Sequence, residues 1–131
     1  MLVCCDIGPP TRRKLRICVD LLVSLNMEYL KHSRTRPPAL YASGVRYRSE
    51  PRPPQGLRRV ERFALIPGVL RAGWGDCEDL AAWRVAELRL RGVRAVPWII
   101  QPRPKLFHVQ VRYPDGTIED PSRRLGMRGP G

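Results

Sequence analysis

The stretch Gly73-Trp74-Gly75-Asp76-Cys77-Glu78-Asp79-Leu80-Ala81-Ala82-Trp83 constrains this chain more than any other. A glycine-flanked loop runs into an acidic residue, then a cysteine, then a helical pattern. Asp76 is a good N-cap, and Asp79 stands three residues on, where a capping box closes. That puts Cys77 in the first helical turn. There the unpaired backbone N–H groups and the positive end of the helix dipole favour a thiolate over a thiol. A lowered thiol pKa is what a nucleophilic cysteine needs near neutral pH. A small core hydrophobe beside a capped helix start is the other reading of the same residue.

A nucleophilic cysteine needs a base, and the base needs an orienting partner. Outside the N-terminal helix the chain offers one candidate base, His108. Leu106 to Tyr113 alternates, with Phe107, Val109, Val111 and Tyr113 on one face and His108, Gln110 and Arg112 on the other. Pro114-Asp115-Gly116 is a turn, and Thr117 to Asp120 returns as the next strand. If Tyr113 pairs with Thr117 across a three-residue loop, Gln110 faces Asp120 and His108 is its diagonal neighbour on the same face. A two-residue loop throws Asp120 to the opposite face. Pro-Asp-Gly suits a type I turn with glycine at the left-handed bulge position, which favours the longer loop. A Cys77–His108–Asp120 triad is thus geometrically permitted.

The remaining segments frame that constellation. Thr11 caps a helix running to about Lys31, with Leu15, Val19, Leu22, Leu25 and Tyr29 as its apolar stripe. Residues 1 to 10 read as a lead-in. Ser33 to Gln55 is rich in proline and arginine and reads as an ordered surface loop, with a short extended piece at Gly44 to Tyr47. A short helix is expected around Pro67 to Arg71. The main helix runs from Cys77 to about Arg91, apolar around most of its cylinder and capped by Gly92. Val93 to Ile100 carries strand signals with Pro97 marking an edge or bulge, and Gln101 to Lys105 is a proline loop. The tail from Ser122 carries little information on the fold. Together these give an α+β fold: a cysteine-bearing central helix packed on a small antiparallel sheet, with an extra N-terminal helix added outside. The division expected is 1–36 for the helix and lead-in, 37–125 for the catalytic-type domain and 126–131 for the tail.

Composition narrows the function classes. A chain of 131 residues is one domain with a core that needs no staples. The formal net charge of +12 attracts polyanions or an acidic partner. Three lysines against twenty-one arginines, however, read as coding bias, and no aromatic platform or recognition motif is interleaved with them. A specific nucleic-acid reader is not supported. Cys4, Cys5, Cys18 and Cys77 have spacings that suit neither a zinc site nor a disulfide framework, so no metal and no cofactor is expected. No run has signal-peptide or membrane-spanning character, and a cytoplasmic setting with reduced thiols follows.

The ordered set Gly75-Asp76-Cys77-Glu78-Asp79, a helix, Arg91-Gly92-Val93-Arg94-Ala95, a strand bearing His108, a Pro-Asp-Gly turn and Asp120-Pro121 resembles the core of the transglutaminase-like superfamily of papain-like thiol enzymes. The likeness covers roughly residues 40 to 125. With Tyr47 upstream and Asp120-Pro121-Ser122 near the end, the compact form is similar to small proteins encoded among bacteriophage or prophage structural genes. The resemblance implies Cys77 as nucleophile, His108 as general base and acid, and Asp120 as orienter of the imidazole. The Cys77 backbone N–H is a natural oxyanion donor, with Trp74 or Tyr47 as candidates for the second. The implied activity is acyl transfer from an amide or ester: hydrolysis by a protease or peptidoglycan amidase, or transfer to an amine. The implied partners are a protein or peptidoglycan substrate and other phage structural proteins. The rival is a virion or assembly protein that keeps the fold without the chemistry. Many members carry an aromatic residue two positions after the histidine; here Gln110 stands there.

Overall fold

The computed structural model describes residues 2–5, 11–49 and 61–128. The prolines at 51, 53 and 54 of the expected surface loop lie outside them, as do Asp6–Pro10 and Gly129–Gly131. The architecture is mixed α+β. Strand β1 is Leu2–Cys5, helix α1 Arg12–His32, strand β2 Arg46–Tyr47, strand β3 Glu61–Ala64 and helix α2 Ile66–Ala72. Strand β4 (Trp74–Gly75) leads into helix α3 (Cys77–Leu90). Strands β5 (Val96–Arg103), β6 (Leu106–Arg112) and β7 (Ile118–Glu119) follow, and helix α4 (Pro121–Arg124) closes the order. Strands β5, β6 and β7 form an antiparallel sheet in that order, β1 pairs antiparallel with β3, and β2 pairs parallel with β4.

Helix α3 is the centre of the molecule because it is apolar around most of its cylinder. Leu80, Ala81, Ala82, Trp83, Val85 and Ala86 are all wholly buried. Two clusters form on its two sides. One joins it to α1 and to Ile99, Val109 and Val111 of the sheet. The other joins Leu80 and Trp83 to Leu40, Val45, Ile66, Val69 and Leu125. Buried alanines let neighbouring backbone approach, which is how a helix serves two layers at once.

Helix α1 starts as its sequence predicts: Thr11 Oγ1 accepts the Lys14 N–H at 3.1 Å. Its buried stripe is rotated from the expected one, however. Leu15, Cys18, Val19, Leu22, Val23 and Asn26 face inward, whereas Leu25 is exposed and Tyr29 half-buried. The helix is also less peripheral than expected. Its buried residues share one cluster with Cys77, Ala81 and Val85 of α3. Asn26 Oδ1 accepts the Ile66 N–H at 3.0 Å, which satisfies a free donor at the start of α2.

Three local expectations are corrected. The lead-in contains β1, which pairs antiparallel with β3. Strand β5 runs on to Arg103 through the expected proline loop, with a register irregularity after Ile100. It is an edge strand, which tolerates Pro97 and Pro102 because one side of its ladder needs no donors. The tail is structural: Leu125 and Met127 are buried, and the Leu125 carbonyl accepts the Tyr47 N–H at 2.9 Å. No helix among the described residues is long and apolar enough to cross a membrane.

Candidate active site

Four segments converge where α3 begins. Gly73, at φ +81, ends α2 in the left-handed conformation, and β4 carries the chain to Asp76. Gly75 is required for lack of space: a Cβ there would meet Leu80 Cδ2 at 3.1 Å and Asp79 Cβ and Val69 Cγ1 at 3.3 Å. The capping box forms in full. Asp76 Oδ1 accepts the Asp79 N–H at 3.2 Å, and Asp79 Oδ2 accepts the Asp76 N–H at 3.3 Å. Asp79 Oδ1 also accepts the Ala64 N–H at 2.7 Å, so one buried carboxylate ties β3 to the helix start. Burial lifts the Asp79 carboxyl to about 7, with the Glu78 charge adding to it and the accepted N–H bonds opposing. Asp76 is likewise raised, by burial and by the charge of Asp79.

Cys77 is the first residue of α3 and is buried. Burial pushes its thiol well above the ordinary range; the charges of Glu78 and Asp76 push the same way, and the Val109 backbone pulls back. This reverses the expected direction. The favourable helix end is outweighed by loss of water and by the charges of Glu78 and Asp76. The unliganded residue is therefore a thiol rather than a standing thiolate.

The histidine and aspartate meet as the three-residue turn requires. The Tyr113 N–H donates to the Thr117 carbonyl at 2.8 Å, and Val111 stands opposite Glu119 in the ladder. Asp120 thereby falls opposite Gln110, on the His108 face. His108 Nε2 lies 2.8 Å from Asp120 Oδ2, and Gln110 Nε2 donates to the same oxygen at 3.2 Å. Asp120 Oδ1 accepts the Arg123 N–H at 3.2 Å as the N-cap of α4. Burial alone would raise this carboxyl, but the bonds from His108, Gln110 and Arg123 hold it below its usual range. An ionised Asp120 has no proton to give, so Nε2 carries the hydrogen and Nδ1 is left as the basic nitrogen.

Helix α3 and the His108–Asp120 pair use opposite faces of β6. Val109 and Val111 lie in the same cluster as Cys77, Ala81 and Val85, so α3 packs on the apolar face of β6. Those valines therefore point toward the helix start rather than away from it. The thiol's hydrogen-bonding neighbours are the Val109 backbone, one residue from His108, and the Glu78 carboxylate. Tyr47 links the two halves of the site. Its phenol is pushed up to about 12, first by burial and then by Cys77, Asp76, Glu78 and Asp120. One side chain thus feels both the nucleophile candidate and the imidazole's partner. Trp74, the other oxyanion candidate, instead lies under Arg48, 5.3 Å from ring centre to guanidinium.

A second buried polar cluster, around Glu119, was not anticipated. Glu119 Oε2 accepts from Tyr41 Oη at 2.6 Å and from Arg84 Nε at 2.7 Å, and Oε1 accepts from Tyr113 Oη at 2.6 Å. Arg84 also reaches Glu87 at 3.4 Å, and Glu87 in turn accepts from Trp83 Nε1 and the Leu40 N–H. Arg84 and Arg124 flank the Tyr41 ring at 5.1 and 4.1 Å. Burial would raise Glu119, but Arg84 and the two tyrosines hold it low; the same charge raises both tyrosines beyond what burial does. Arg84 is the post that fixes β7 to α3. The residue after Glu119 is Asp120, so this clamp sets where the imidazole's partner stands relative to the cysteine helix.

An open cavity of about 460 Å³ lined by Arg89 and Gly92–Val96 lies at the other end of α3 from Cys77 and holds none of these groups. No protein-family model, curated protein or solved structure matches the chain.

Proposed function

We propose that this chain is a thiol-dependent acyl-transfer enzyme that hydrolyses an amide bond through Cys77, His108 and Asp120. The observation that carries the reading is the His108–Asp120 contact at 2.8 Å on the strand whose backbone meets the Cys77 thiol. A buried, hydrogen-bonded imidazole on the strand whose backbone meets a helix-start cysteine supplies the groups that general-base activation needs. Because burial keeps Cys77 protonated, activation belongs to the bound complex. His108 Nδ1 takes the Sγ proton as sulfur attacks the carbonyl carbon, and Asp120 stabilises the resulting imidazolium. The Cys77 backbone N–H, without an acceptor inside the helix, faces the developing oxyanion, and the Tyr47 hydroxyl is the favoured second donor. The tetrahedral species collapses as His108 gives that proton to the leaving nitrogen, leaving a thioester on Cys77. Water then attacks the thioester, His108 takes its proton, and the acid departs with the thiol restored.

Transfer to an amine in place of water makes the same site a cross-linker. Protein or peptidoglycan amides remain the substrate classes, in a bacterial cytoplasm or a phage particle. A second reading has one observation in its favour. A thiol raised by burial and by neighbouring carboxylates suits a virion or assembly protein that keeps the fold without chemistry.

A capped peptide vinyl sulfone separates the two. Incubation between pH 6 and 8, followed by peptide mapping, is expected to place one adduct on Cys77. His108→Ala is expected to slow its formation by about a hundredfold, and Asp120→Asn by less. Absence of a Cys77 adduct throughout that range, or equal rates in His108→Ala, would leave the structural reading standing.

A further inference from the structure

The sheet face that carries His108 and Asp120 continues into an exposed patch that the proposed chemistry does not use. Residues directly opposite in an antiparallel ladder share a face. Ile100 faces His108, Trp98 faces Gln110 and Val96 faces Arg112, while Ile118 faces Arg112 from β7. Along this face burial falls away steadily. His108 is 2% exposed and Gln110 half-buried, whereas Trp98 and Ile118 are 37% and 42% exposed. The Arg112 guanidinium lies over the Trp98 ring at 4.5 Å. It forms no ion pair among the described residues. The turn carboxylate of Asp115 accepts the Thr117 N–H at 2.9 Å.

We infer that Trp98, Arg112 and Ile118 form a subsite for an acidic, partly apolar peptide segment of the substrate, with its carboxylate on Arg112. This rests on the reading of His108 and Asp120 as a catalytic pair. A half-exposed tryptophan stacked by an arginine with no ion pair among the described residues supplies apolar area and a planar cation in one place, the combination enriched at binding hot spots. The guanidinium fork fits a carboxylate with two parallel hydrogen bonds. Aliphatic Val96 and Ile118 on either side favour apolar neighbours of that carboxylate. One aromatic ring with aliphatic flanks is a poor track for successive bases, so peptide is favoured over nucleic acid. Spacing sets the register. Arg112 lies four residues from His108 on one strand, about 13 Å at the usual rise, so an extended peptide places its acid about four residues from the reacting bond.

The test uses Cys77→Ala protein, which cannot turn over. Random capped octapeptides are selected on the immobilised full chain and sequenced. Asp or Glu beside an apolar residue is expected to be enriched about tenfold, and Arg112→Gln is expected to abolish the enrichment. Arg13→Gln, at an exposed arginine of helix α1, is expected to leave it unchanged. Thermal melting of each variant excludes misfolding, and quenching of Trp98 fluorescence by a selected peptide, lost in Trp98→Leu, locates the contact. Failure to enrich acids, or enrichment that survives Arg112→Gln, overturns the subsite. So does displacement of selected peptides by an oligodeoxythymidylate whose own binding needs Trp98. If selected peptides bind through Arg112 but unmutated protein neither cleaves them nor transfers their acyl group, the subsite stands and the catalytic reading falls.

Discussion

Replacing Glu119 with glutamine keeps the side chain's shape and removes only its charge. Three short hydrogen bonds converge on that carboxylate, from Tyr41, Tyr113 and Arg84 at 2.6, 2.6 and 2.7 Å. The Arg84 and Glu119 side chains are 13% and 12% exposed, so water replaces little of what is lost. Removing one partner of a buried pair costs roughly 3–5 kcal/mol, largely because the other charge is stranded. Here Arg84 retains Glu87 at 3.4 Å, and the amide oxygen of glutamine still accepts one bond. Those two concessions bring the expected loss to about 2–4 kcal/mol. Urea unfolding measures it directly. The double variant Glu119→Gln/Arg84→Met strands no cation and is expected to lose less than the two single changes summed, by about 1–2 kcal/mol. A second readout follows from Asp120 being the next residue: the His108-dependent vinyl sulfone rate is expected to fall in Glu119→Gln protein that remains folded. A stability loss under about 1 kcal/mol, with single changes that simply add, would refute the clamp.

The Asp79 carboxyl, raised to about 7, predicts an unusual pH profile. A carboxyl whose folded pKa lies above its unfolded value near 3.9 contributes stability fully below about pH 4 and loses it as pH climbs through about 7. Melting temperature is therefore expected to fall from pH 4 to pH 7.5, and Asp79→Asn is expected to flatten that fall; a wild-type protein that gains stability over the range would contradict the burial argument. Gly75→Ala inserts a methyl group where Leu80, Asp79 and Val69 leave 3.1–3.3 Å. A cost of about 1–3 kcal/mol in urea unfolding is expected, and a neutral result would mean that β4 and α3 are looser than described.

Much of the site was legible because its local rules are strong. Thr11, Asp76 and Asp79 cap where cap chemistry places them, and Pro114-Asp115-Gly116 sets the register that puts Asp120 beside His108. What was missed depends on partners distant in sequence. Nothing local marks Leu2–Cys5 as a strand until Glu61–Ala64 is there to pair with it. The direction of the Cys77 shift was misjudged because helix-end electrostatics can be read from sequence and burial cannot. Glu119 is the instructive case. The same register that set Asp120 opposite Gln110 puts Glu119 opposite Val111, on the apolar face. A carboxylate there requires a buried cation, and Arg84 on the apolar cysteine helix was the residue without a role. The signal existed in the pairing and went unread.

The site's geometry and its resting chemistry pull in different directions, and burial explains both. Holding His108 at 2% exposure fixes the ring on Asp120, yet the same exclusion of water raises the Cys77 thiol. A dry site costs the thiolate its solvation before substrate arrives. It also strengthens each charge interaction once an oxyanion and an imidazolium form together. Tyr47 feels both sides of this trade, because Cys77 and Asp120 both add to the rise that burial gives its phenol. It is held by a backbone bond to Leu125 and by pairing of β2 with β4. On the catalytic reading, a neutral phenol at that position is an asset: its raised pKa keeps it a donor over the whole working range. A tyrosinate there would repel the charge that the reaction must build.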